Sequence, residues 1–89
     1  MNAKQILSKA FDLMSGDRQE SYGDPTANHD RIAGIWSIIL GVPVSAEQVA
    51  LCMAGMKLAR LAYDPSHLDS YIDGAAYMAI AGEIASNDK

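Results

Sequence analysis

From Val49 to Tyr63 the chain carries only two charged residues, Lys57 and Arg60. A helix that is apolar nearly all round is a buried helix. An 89-residue chain cannot wrap such a helix completely, because a domain this small buries only roughly 60–65% of the surface its unfolded form exposes. The segment must therefore lie at the centre of the fold, and a second copy of the chain is expected to finish covering it. Other devices that stabilise small scaffolds are missing. Cys52 is the single cysteine, so no internal disulfide forms, and His29 and His67 stand apart without zinc-site spacing. The hydrophobic fraction, 49%, suits oligomerisation.

The rest of the chain reads as helix as well, giving an all-α, four-helix single domain over residues 1–89 with antiparallel neighbours. The predicted helices cover about 3–14, 25–40, 46–63 and 67–85, with a loop at 16–24. In the first, Ile6, Leu7, Ala10, Phe11 and Met14 recur at three- and four-residue steps, and Asn2 with Gln5 can cap the start. Asp24 and Pro25 open the second, whose apolar face reads Ile32, Ile35, Trp36 and Ile39. Ser45 and Gln48 form a capping box for the third. Ser66 is placed to cap the fourth, with a core face of Leu68, Ile72, Ala75, Ala76, Ala79, Ile80 and Ile84. Gly74, Ala75 and Ala79 are small enough to let another helix approach closely. Cys52, on the apolar third helix, reads as a buried, inert thiol.

A net charge of −4 argues against a nucleic-acid partner, which needs a cationic footprint. A free nucleotide needs only a few local cations. No segment has the roughly 20 apolar residues of a membrane span, and the N-terminus lacks a signal peptide's apolar core. The expected location is the cytoplasm.

In an antiparallel hairpin turning near residue 65, Lys57 falls level with Asp73 and Arg60 with Asp69. Asp69 and Asp73 are one helical turn apart and share a face, and Lys57 and Arg60 share another. His29 and Asp30, early in the second helix, fall in the same layer as Lys57 and Asp73. One reading is structural: two interhelical ion pairs, with His29 and Asp30 as a polar surface pair. The other is a site. Asp69 and Asp73 would hold Mg²⁺, which takes one or two carboxylates plus substrate phosphates. Lys57, Arg60 and Arg18 would meet phosphate oxygens, Tyr22 or Trp36 would stack on a base, and His29 could act as a base.

The pattern Asp17-Arg18, Ser21-Tyr22-Gly23-Asp24-Pro25, Arg31-Ile32-Ala33, Trp36, Lys57-Leu58-Ala59-Arg60 and Asp69-Ser70-Tyr71-Ile72-Asp73-Gly74-Ala75-Ala76-Tyr77 resembles a family of small phage- and prophage-encoded helical proteins of uncharacterised function. That likeness implies a bacterial host cell. More distantly, the last helix is similar to the metal-binding helix of MazG-like all-α nucleotide pyrophosphohydrolases. Those are oligomeric bundles that use Mg²⁺ to split a nucleoside triphosphate. Asp73 matches the final Asp of their E-x-x-D motif, while Ser70 stands where its Glu would be. Their E-E-x-x-E motif has no counterpart here. Helix three offers Lys57 and Arg60 where that family has acids. The resemblance supports Asp73 alone; taken with the charged layer, the site reading assigns catalytic roles to Lys57, Arg60 and Asp73, metal binding to Asp69 and Asp73, and ligand contacts to Arg18, Tyr22, His29 and Asp30. Three functions fit: nucleotide binding with or without Mg²⁺-dependent hydrolysis, a non-enzymatic oligomer that binds a host or phage protein, and a nucleotide-sequestering sponge.

Overall fold

A computed structural model describes residues 1–15 and 23–87. It contains four helices: α1 (Ala3–Leu13), α2 (Pro25–Leu40), α3 (Ala46–Tyr63) and α4 (Leu68–Asn87). The architecture is all-α, as expected.

Helix boundaries follow local chemistry. Asn2 and Gln5 form a reciprocal capping box on α1, and Ser45 and Gln48 form another on α3. Asp24 accepts a hydrogen bond from the Ala27 N–H, and Pro25 takes the first position of α2. Gly41 ends α2 with φ of 72°, a left-handed conformation that glycine adopts without steric cost. The Ser37 hydroxyl then donates to the Ala33 carbonyl at 2.7 Å and accepts from the Val44 N–H at 2.9 Å, tying the end of α2 to the start of α3. Ser45→Ala should cost about 1 kcal/mol, the usual weight of an N-cap, read as a lower urea midpoint with an unchanged slope.

One boundary differs from expectation. Ser66 does not cap α4, because its N–H and hydroxyl both bond the Asp64 carboxylate, at 3.1 and 2.7 Å. Those two bonds hold the Asp64 carboxyl below the usual carboxylate range. α4 starts two residues later than Ser66 and runs to Asn87, past the predicted end at Ala85.

The α3–α4 hairpin is the centre of the fold. α1 packs mainly on α4, and α2 packs on α3 and, less extensively, on α4. Two small clusters make the core. Ala46 and Ala50 meet Ile80, Ala81 and Ile84, and Ala10 meets Ile72 and Ala76. Val49 and Ala50 are fully buried. Alanines dominate because the helices meet closely: a Cβ placed on Gly74 would lie 3.7 Å from the Lys57 Cβ.

This core uses only part of the predicted apolar set. Leu7 and Phe11 of α1, Ile35 and Ile39 of α2, and Leu68 of α4 are exposed. So is the outer side of α3, including Leu51, Met56 and Leu58. Cys52 is exposed rather than buried. Within one copy, α3 is central yet covered on one side only.

Candidate functional site

Where α1 ends and α2 begins, the two helices leave an opening over the α3–α4 seam. The result is a hollow of about 180 Å³ with polar and apolar walls. Leu13 and Met14 close one side, Gly23, Pro25, Asn28 and His29 another, Lys57 a third, and Asp73 and Tyr77 the floor on α4. Gly23 enters α2 with φ of 76°, and a Cβ there would lie 3.7 Å from the Arg31 guanidinium, which folds back to the rim.

Lys57 and Asp73 form an ion pair at 3.2 Å, with about a third or less of each side chain exposed. At this exposure the pair contributes about 0–1 kcal/mol to stability. It leaves a cation and a carboxylate side by side in a recess.

His29 is 5% exposed. Its Nδ1 lies 2.7 Å from the Pro25 carbonyl. A carbonyl can only accept, so Nδ1 carries the proton, and in the neutral ring the lone pair is on Nε2. That Nε2 is buried and has no hydrogen-bond partner among the described residues. The Tyr77 ring meets the imidazole edge-on, with centroids 6.0 Å apart. A buried nitrogen without a hydrogen bond is costly. At the mouth, the Thr26 hydroxyl and then the Ala27 N–H hold the Asp24 carboxyl below its ordinary value. Asp24 is thus fixed as an anion in its capping role.

The predicted site residues divide clearly. Lys57, Asp73 and His29 come together as the level argument expects. His29 does so as a buried group and not in a polar surface pair, while Asp30 beside it is exposed on the outer side of α2. Arg60 does not pair with Asp69: its guanidinium lies 3.4 Å from the His67 Nε2, and His67 in turn bonds Ser70. Asp69 is exposed in the first turn of α4 and does not line the hollow. Among the described residues, no group of three His, Cys, Asp or Glu side chains is arranged to hold a metal ion. Arg18 and Tyr22 lie outside the described residues. Asn28, Arg31 and Tyr77 were not assigned to the site from sequence. Tyr77 could have been, since it lies one turn beyond Asp73.

Comparison with known proteins bears on the same segment. A family model described as a domain of unknown function, DUF6378, matches residues 5–85. The chain belongs to the DUF6378 family. Every residue lining the hollow lies within that DUF6378 match. The chain is similar to the Gene 55 protein of Mycobacterium phage L5, with 37% identity over 76 residues, covering 84% of this chain and 49% of that protein. It is also similar to the Gene 55 protein of Mycobacterium phage D29, with 37% identity over 75 residues, covering 84% and 50%. The chain therefore spans about half the length of the curated relatives it matches. No solved structure matches it. None of its described helices is long and apolar enough to cross a membrane.

Proposed function

We propose that this DUF6378 domain binds a small phosphate-bearing, nucleotide-like ligand in the hollow between α1, α2 and the α3–α4 seam, and that it works for a phage inside a bacterial cell. The reading rests on one observation: His29, whose buried Nε2 has no hydrogen-bond partner among the described residues, and the Lys57–Asp73 pair line the same recess. A phosphate would draw Lys57 away from Asp73, with Arg31 at the rim as a second cation. The His29 lone pair would accept from an N–H or O–H of the ligand. Tyr77 gives the floor an aromatic surface.

The likeness of α4 to the MazG-like metal helix is part of this reading, but the full metal set is not. Asp69 and Asp73 do not come together at the hollow, and Asp73 is engaged by Lys57. Mg²⁺ would fit only as a companion of the ligand's phosphates, with Asp73 as one carboxylate. Binding, as accessory or sequestering protein, is therefore favoured over hydrolysis.

The test is calorimetric titration with a panel of nucleoside mono-, di- and triphosphates. Asp73→Asn removes the carboxylate that competes for Lys57. Without added metal it should tighten binding by roughly three- to tenfold, the equivalent of about 1 kcal/mol. Weaker binding by Asp73→Asn would instead show that the carboxylate holds the ligand or its metal. A panel in which nothing binds would end the proposal.

A further inference from the structure

On the other side of the α3–α4 seam from the hollow, the two helices turn a second face outward. By helical phase it takes Leu51, Gly55, Leu58 and Ala62 from α3, and Tyr71, Gly74, Met78 and Gly82 from α4. None of these carries a charge. Of the charged residues in the middle of these helices, Arg60, Asp73 and Glu83 fall on other phases, and Lys57 borders the groove between the two helices while its amine pairs with Asp73. Along the seam runs this mostly apolar groove of about 220 Å³, whose lining includes Lys57, Leu58, Leu61, Tyr71, Gly74 and Met78. Leu58 is 68% exposed, Met78 55%, Leu51 43% and Tyr71 42%.

Two glycines flank this groove and make room for no other side chain or backbone among the described residues. A Cβ on Gly55 or on Gly82 would meet nothing within 4 Å. Glycine weakens a helix interior relative to alanine, so neither is accounted for by the packing of a single copy. Each lowers a shoulder of the face, which is what a closely approaching helix needs.

The geometry points to a second copy of this chain as the occupant, with two α3–α4 hairpins stacked face to face as a shared four-helix core. A two-fold interface must be self-complementary. This face holds both protruding side chains, Leu58 and Met78, and recesses at Gly55, Gly74 and Gly82. Among the described residues that line the groove, the charged one is Lys57, and its amine is paired with Asp73, so two copies with a net charge of −4 each can meet there without bringing carboxylates into contact. Its four large side chains leave roughly 400 Å² open, about half of the ~800 Å² each partner gives to a stable interface, and Leu61 and the small residues extend it. A core made mostly of alanine gives one copy little else to rest on. This inference stands without the ligand reading.

Sedimentation of the reduced chain across micromolar to submillimolar concentration tests it. A species of twice 9.5 kDa is expected. Gly55→Gln/Gly82→Gln is the informative variant, because both sites are open within one copy and glutamine favours helix. Its helix content should hold by circular dichroism while dimerisation weakens at least tenfold. Ile38→Glu/Ile39→Glu, on the exposed stripe of α2, should leave the dimer intact. The inference is overturned if the wild type stays at 9.5 kDa throughout, if the glutamine pair dimerises as well as the wild type, or if only the α2 variant dissociates.

Discussion

Lys57→Met should weaken binding of a phosphate-bearing ligand by roughly ten- to hundredfold, the weight of the 1.5–3 kcal/mol that a hydrogen bond to a charged group carries. Methionine keeps an unbranched stem of similar length. The packing of that stem against Gly74 and the seam is therefore retained while the charge is lost. The fold should tolerate the change. The Lys57–Asp73 pair is partly solvated and contributes about 0–1 kcal/mol, and Asp73 without its partner remains in reach of water. Thermal unfolding without ligand should stay within a few degrees of wild type, while calorimetric titration shows the loss. Arg60→Met is the matched control, because Arg60 faces His67 and not the hollow. Equal binding by wild type and Lys57→Met would remove the hollow as the ligand site.

The largest expected effect on stability is from Ile72→Ala. Ile72 is 8% exposed and packs with Ala10 and Ala76 where α1 meets α4. Ile6, Leu13 and Met14 pack against the same cluster and can fill only part of the space. The cost should be about 3 kcal/mol, in the middle of the range for removing a buried isoleucine. Domains of this kind hold only roughly 5–10 kcal/mol in total. The midpoint of thermal unfolding should fall by roughly 15 °C for a chain of this size. Ile38→Ala makes the contrast: the same side chain, 83% exposed, should change stability by no more than about 0.5 kcal/mol. Similar urea midpoints for the two variants would mean that the α1–α4 contact is not where this fold draws its stability.

Much of the fold was legible because its signals are local. The capping pairs Asn2–Gln5 and Ser45–Gln48 and the Asp24-Pro25 start are written in adjacent residues, and each is present. Ser66 misled because a nearer acceptor, Asp64, captures both its N–H and its hydroxyl. The Lys57–Asp73 pair followed from antiparallel geometry, which fixes height along the bundle. Height does not fix direction. Arg60 and Asp69 are level but diverge, and His29 turns inward while Asp30 turns out. The apolar pattern overstated burial for a similar reason. Ile35, Leu58 and Cys52 have the spacing or surroundings of core residues, but a single copy has no layer left to cover them. The oriented His29 nitrogen was beyond sequence reading, since it depends on a carbonyl one turn earlier and on α4 passing beneath.

Lys57 lines both the polar hollow and the apolar groove: its amine reaches one and its methylenes wall the other. With a ligand in the one and a second copy on the other, a flexible stem shared between them would make the two proposed binding events interdependent. Whichever event immobilised the side chain first would have met the entropic cost that the other faces, and the resulting cooperativity would be the same in both directions.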